Sequence, residues 1–295
     1  MKRDQASRLR EIKRKVKSRN SEGNGARVLA ITSGKGGVGK TNFALNLAIS
    51  LSELNKKVLL IDADINLANL DILMGITPEY TIKDTISGEK GLREIVIKGP
   101  KGISLLPASS GIVDFIGMES SVRNRLIREF ASLEGDYDLI LIDTAAGIAE
   151  NVIDFATSAN EMIVMISPEP TSIMDAYALI KLSVLRGKDT KVNIIVNLIK
   201  SIREGKLAVN KIRLAADRFL DLDVNILGCV FYDNNVVNSV KKQIPFVLEY
   251  PESAASVCVK GIAWKIASNN NGEAESLEGG SFFEKMFLSI SEVTA

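Results

Sequence analysis

Apolar positions along the chain fall into two kinds of run. Short continuous stretches rich in Val, Ile and Leu occupy 28–32, 57–61, 103–107, 139–142, 161–166, 191–197 and 225–231, and bounded runs of this length predict strands covered on both faces. Between them, 41–54, 120–133, 171–186 and 206–219 carry apolar residues at helical spacing. Strand and helix alternate, so the expected fold is α/β: a doubly wound, mostly parallel sheet with helices on both faces and ligands at the carboxyl edge of the strands. No internal repeat interrupts the pattern.

The two ends read differently. Residues 1–20 are basic, yet Leu9, Ile12 and Val16 recur at helical spacing with Gln5 one turn ahead of Leu9, which predicts a short amphipathic helix. A polar, glycine-containing linker over 21–26 separates it from a domain expected at 27–267. Residues 268–281 (SNNNGEAESLEGGS) form a second, acidic linker. Beyond it, over 282–292, Phe282, Phe283, Met286, Phe287 and Ile290 share one helical face, an apolar stripe suited to lying on a membrane or docking on a protein.

Composition sharpens this picture mainly by exclusion. The chain has 295 residues, 46% apolar and 25% charged, with a net charge of +1, so no global charge points to nucleic acid. The basic charge is local: nine Lys/Arg against Asp4 and Glu11 in the first twenty residues. The absence of histidine removes a histidine general base, and Cys229 and Cys258 have no C-x-x-C spacing, which argues against a classical zinc site. Both thiols sit in apolar sequence and are expected to be buried and reduced, as in the cytosol. No run is long enough to span a membrane, and no apolar signal core follows the basic start, so export by that route is not expected.

Candidate chemistry begins at the end of the first run. Gly34 to Thr41 (GKGGVGKT) fits G-x-x-x-x-G-K-[ST] between a strand and a helix, the context in which backbone N–H groups wrap phosphates. Gly34, Gly36, Gly37 and Gly39 allow close approach, with Val38 and Asn42 in the same cradle. Lys40 is placed for the β- and γ-phosphates and the Thr41 hydroxyl for Mg²⁺. A second lysine, Lys35, exceeds what one phosphate site needs. The second strand ends in Asp62-Ala63-Asp64, putting Asp62 in position to engage Mg²⁺ through its waters and Asp64 to orient an attacking water. A later strand ends in Asp143-Thr144-Ala145-Ala146-Gly147, an acid for Mg²⁺ followed by small residues that let a loop move. No N-K-x-D or T-K-x-D guanine-reading motif occurs, which favours ATP.

Taken together, K-G-G-V-G-K-T, D-A-D and L-I-D-T-A-A-G resemble the MinD/ParA class of P-loop ATPases. The resemblance implies that Lys35 reaches the ATP of a partner subunit in an ATP-dependent homodimer. Within S-P-E-P-T-S-I-M-D, Glu169 would contact nucleotide across that dimer, and Asn197 would read adenine. Asp233 follows a strand near the expected base pocket. The chain departs from many relatives in having Thr144-Ala145-Ala146, without proline, after the acid. The basic arm D-Q-A-S-R-L-R and the aromatic end resemble the FlhG (YlxH, FleN) family, which governs flagellar number and placement. That family implies an arm, carried by Asp4, Gln5, Leu9 and Arg10, that stimulates an FlhF-like GTPase. It also implies reversible attachment to the inner face of the cell membrane through 282–292, and flagellar switch or transcription-regulator partners. The alternatives are a ParA-like DNA-partition ATPase, a MinD-like division-site ATPase and an iron–sulfur carrier. The arm's apolar stripe suits a protein groove better than bare phosphate, so nucleic acid is not expected as a partner. An iron–sulfur carrier needs cysteines earlier in the chain.

Overall fold

The computed structural model describes residues 25–64, 69–107, 120–186 and 191–268. The expected arm at 1–20 and the apolar segment at 282–292, with every residue assigned to each, lie outside them. Among the described residues, the strands β1 (Arg27–Ser33), β2 (Val58–Ala63), β3 (Ile97–Lys98), β4 (Ser104–Pro107), β5 (Leu139–Ala146), β6 (Glu161–Ile166), β7 (Lys191–Ile199) and β8 (Asn225–Phe231) form one sheet. Their order is β3-β4-β2-β5-β1-β6-β7-β8. Every pairing is parallel except that of β3 with β4. Each apolar run of the sequence is a strand. The two-residue β3 carries too little pattern to be seen in advance.

Side-chain alternation divides the core between the sheet's faces. Leu29, Ile31, Leu60, Leu141, Ile163 and Ile195 point to one side, where α1 (Lys40–Glu53) packs. Val28, Ala30, Ile61 and Ile142 point to the other, against α3 (Ile82–Ser87) and α4 (Ser120–Glu134). Farther along that second face, Met162, Val164, Ile194 and Val196 meet α5 (Glu150–Ser158), α6 (Pro170–Leu185) and α7 (Ile202–Leu220). The short α2 (Leu70–Met74) follows β2. The chain closes with α8 (Asn234–Lys242), α9 (Phe246–Glu249) and α10 (Ala254–Ser268), the last two packing on the α1 side.

Several boundaries move for identifiable reasons. The second strand continues through Asp62 and Ala63 because they pair in register with Asp143 and Thr144 of β5, so both acids stand within the sheet. Helix α7 starts before the expected Lys206 because Ser201 caps it, its hydroxyl accepting from Glu204 N–H at 3.2 Å while the Glu204 carboxylate accepts from Lys200 N–H at 2.6 Å. The cysteines are free and half-buried, not buried: Cys229 lies on the edge strand β8 and Cys258 on α10.

At the amino edge of the strands, Glu161 ties the layers together. It accepts from Arg27 Nε at 2.8 Å and Asn193 Nδ2 at 2.7 Å, and Arg27 Nη1 in turn donates to the Ile266 carbonyl at 2.9 Å. The start of β1 and the end of α10 are therefore side by side, on the edge opposite the phosphate loop.

Candidate nucleotide-binding site

The loop between β1 and α1 wraps the amino terminus of α1, where free N–H groups and the helix dipole favour an anion. Two glycines are needed for conformation: Gly37 has φ 80° and Gly39 φ 85°, values that L side chains rarely adopt. Gly34 is needed for space. A Cβ there would sit 2.3 Å from the Asp175 carbonyl carbon, because the backbone of α6 crosses directly over the loop. Ser33 Oγ donates to the Lys35 carbonyl at 3.0 Å and fixes the loop's departure.

The two loop lysines are held differently. Lys40 is buried and donates to Asp143 Oδ1 at 2.7 Å. Lys35 is half-buried, and its Nζ donates to Glu169 Oε2 at 2.7 Å and Thr171 Oγ1 at 3.2 Å, so Glu169 contacts the second lysine of its own chain. Asp62 stands opposite Asp143 in the β2–β5 ladder. Its Oδ1 accepts from Asp64 N–H at 3.2 Å, and Oδ2 accepts from Asn69 and Leu70 N–H at 3.3 and 3.4 Å. Burial, and then the neighbouring Asp143 carboxylate, push the Asp62 carboxyl up to about 7 despite these donors. Asp143 is also raised by burial, with Lys40 and the Thr41 hydroxyl pulling the other way.

A divalent cation fits this arrangement. Asp143 Oδ2 is buried without a hydrogen-bond partner, the raised Asp62 signals carboxylates short of positive charge, and Thr41 adds a hydroxyl oxygen. Such hard oxygen donors suit Mg²⁺. Among the described residues no three His, Cys, Asp or Glu converge as an all-protein metal cage.

Beside the loop a cleft opens between the ends of β7 and β8, walled by Asn42, Phe43, Asn197, Phe231, Tyr232 and Asp233. Asn197 Nδ2 donates to the Val38 carbonyl at 2.8 Å, and a Cβ on Gly39 would lie 2.6 Å from that nitrogen. The amide is thus packed on the phosphate loop. Asp233 acts first on the backbone: Oδ1 accepts from Asn235 N–H at 2.9 Å and Oδ2 from Ala255 N–H at 3.3 Å, pinning the starts of α8 and α10 to the cleft. Sequence reasoning missed Leu198, whose φ of 63° bends β7 next to Asn197. Nothing in the sequence announces a left-handed leucine. It also missed the aromatic walls Phe43, Phe231 and Tyr232. Lys35, Gly36, Gly37 and Val38 lie in the loop between β1 and α1, and Asp64 is half-buried beside Asp62.

The AAA domain family model matches residues 26–196. The antiactivator FleN of Pseudomonas aeruginosa is 39% identical over 84% of this chain and 90% of its own. The flagellum site-determining protein YlxH of Helicobacter pylori is 32% identical, covering 96% of this chain and 98% of its own. In structure, the septum site-determining protein MinD complexed with Mg-ADP from Pyrococcus horikoshii superposes with a TM-score of 0.68, at 25% identity over 85% of this chain and 99% of that one.

Proposed function

The chain belongs to the MinD/ParA class of ATP-hydrolysing P-loop enzymes, in the group that contains FleN and YlxH, and from that premise we propose that it is an ATP-operated dimerising switch in the control of flagellar number and placement. The observation that carries the reading is the division of labour between the loop lysines. Lys40 is sealed against Asp143, whereas the Lys35 side chain, 41% accessible, stands beside Glu169, 62% accessible. Lys40 charge-pairs the phosphates of its own nucleotide, and Lys35 and Glu169 exchange their mutual contact for contacts across a dimer. Asp62, Asp143 and Thr41 hold Mg²⁺, which when bound neutralises charge on the β- and γ-phosphate oxygens. Asp64 orients the attacking water, Asn197 reads adenine, and Asp233 shapes the cleft around it.

Closure of the dimer presents two copies of 282–292 to the cytoplasmic membrane. One such helix with Lys285 as its cation binds weakly, so pairing supplies avidity. The arm at 1–20 stimulates an FlhF-like GTPase, with flagellar switch components or a transcription regulator as further partners. The experiment is size exclusion with light scattering in ATP. Asp64→Ala should bind ATP, hydrolyse it slowly and accumulate as a dimer. Lys35→Ala should bind ATP and stay monomeric, and Lys40→Ala should lose nucleotide. A monomeric, ATP-bound Asp64→Ala protein would sink the dimer mechanism.

One observation favours a second reading, ParA-like DNA binding: the outer face of α7 exposes Arg203, Lys206, Lys211, Arg213 and Arg218. Liposome co-sedimentation with ATP, ADP or no nucleotide, beside a DNA-binding assay run across salt, separates the two. Vesicle binding that rises with ATP, without salt-sensitive DNA binding, supports the first.

A further inference from the structure

Asn46 sits in the middle of α1 and is fully buried, 0% accessible, between Leu45 and Leu47. On local grounds it is a poor choice there. Asparagine is a weak helix former, and an amide withdrawn from water costs free energy unless its hydrogen bonds are remade. One orientation of the amide remakes them. Nδ2 donates to the Asn42 carbonyl at 2.7 Å, one turn earlier, and Oδ1 accepts from the Val247 N–H at 3.0 Å, 201 residues away in sequence. Because one partner is an acceptor and the other a donor, reversing the amide would lose both bonds.

Helix α9 needs that acceptor. Pro245 stands at its N-cap without a side-chain cap, and Val247 in the first turn is 2% accessible, so without Asn46 its N–H would be buried and unpaired. Phe246, just before Val247, lines the same cleft as Asn42 and Phe43. Its carbonyl accepts from Ser256 Oγ of α10 at 3.2 Å. The bond from Val247 to Asn46 is thus a direct tie between the cleft wall carried by α9 and the helix whose amino terminus holds the phosphate loop.

We propose that Asn46 is a positioning residue for the nucleotide: by holding Val247 it fixes how far Phe246 stands from the phosphate loop, and so sets how much the base adds to the affinity of the phosphates. It acts through Phe246 and touches no nucleotide itself. Asn42 joins the two ends of the device, since its carbonyl receives the Asn46 amide and the residue lines the cleft. Base and phosphates are linked through one sugar, so both subsites engage the same ligand only when their separation is held to within about 0.5 Å. A buried hydrogen bond between two helices gives that precision, whereas apolar packing alone would let α9 slide along α1. The proposal rests on the cleft being the base pocket.

Two substitutions separate the bonds of the amide. Asn46→Leu fills the volume and makes neither. Asn46→Ser keeps the local one, as Ser50 Oγ donates in the same way to the Asn46 carbonyl at 2.8 Å, but it is too short to reach Val247, and it carries the test alone if the leucine variant does not fold. Isothermal titration of the full chain with ADP and with pyrophosphate, each with Mg²⁺, reads base and phosphates apart. Both variants should bind ADP about tenfold more weakly, the scale of one buried donor left unpaired, with pyrophosphate affinity held within about twofold. In ATP hydrolysis the loss should fall on KM more than on kcat. In a Phe246→Leu background, Asn46→Leu should weaken ADP binding by no more than about threefold, because the wall that it positions is already altered. Equal loss of both ligands would make Asn46 a general support of the loop, and unchanged affinity for both would leave the bond without effect on the site; either overturns the proposal, as does full additivity with Phe246→Leu. Pyrophosphate bound by the wild-type chain as tightly as ADP would remove the base reading of the cleft, and the proposal with it.

Discussion

Asp62 carries the clearest consequence of the site's electrostatics. Its carboxyl is raised from 3.8 to about 7 by burial and by Asp143. Between those values the folded chain holds a proton that the unfolded chain has released, so this stabilisation is full below about pH 4 and is lost as pH rises through about 7. The difference is on the order of 4 kcal/mol. Urea unfolding of nucleotide-free protein without Mg²⁺ should show wild type losing stability between about pH 4 and 7 relative to Asp62→Asn, which has no such proton to lose. Millimolar Mg²⁺ with ADP should flatten the wild-type slope; a slope shared by both proteins would remove Asp62 as its source. The residues behind this chemistry were legible because acids at the ends of apolar strands leave a mark in the sequence. Leu198 was not, and Asp233 was legible by its place after a strand but not by the backbone contacts it makes. A left-handed φ of 63° at a leucine is imposed by tertiary packing against the intrinsic preference of the residue, and the two backbone donors on Asp233 come from helices α8 and α10, the second more than twenty residues away.

Among the elements, α6 organises the site's geometry. It begins at the Glu169–Lys35 pair, crosses over Gly34 so closely that a Cβ would lie 2.3 Å from the Asp175 carbonyl carbon, and hands over to Arg186. Arg186 then binds Asp154 and Glu150 on α5, the helix that follows the Asp143 loop. One rigid helix therefore spans the contact of Lys35 and the helix behind the second acid. A Cβ has no rotamer by which to escape, so Gly34→Ala must push the loop off α6, with an overpacking cost of about 1–3 kcal/mol. Titration with a fluorescent ATP analogue should show at least a tenfold loss of affinity, with circular dichroism still that of a folded α/β protein. Normal affinity would mean that the loop yields more easily than its packing implies. The long strands and the helices α1, α4, α6 and α7 were legible from period alone. The short α2, α3, α8 and α9 show too few turns to establish one, and α10, apolar on both faces, has no polar side to set the phase.

At the scale of the molecule, the hydrogen bond from Arg27 to the Ile266 carbonyl places both exits of the described body together, at the amino edge of the sheet. The phosphate loop is at the carboxyl edge, across strands of seven residues that rise about 23 Å. The described body therefore begins at the edge remote from the phosphate loop, and the action proposed for 1–20 on a partner should not need the nucleotide that drives dimerisation. Its charge alone would suit lipid, but the order of residues favours a groove: Leu9, Ile12 and Val16 form a stripe, Gln5 stands one turn ahead, and Asp4 and Arg10 can fix the register. A glutamine on such an anchor is chemically able to orient a water against a partner's GTP. Residues 1–20 as a synthetic peptide should therefore speed GTP hydrolysis by an FlhF-like GTPase about as well as the full chain does, with or without ATP. Gln5→Ala should remove most of the acceleration at saturating peptide, and Leu9→Ala should raise the concentration needed while leaving the maximum intact. Acceleration that requires the full chain and ATP would instead place the activating surface on the closed dimer and leave the arm as a charged tether.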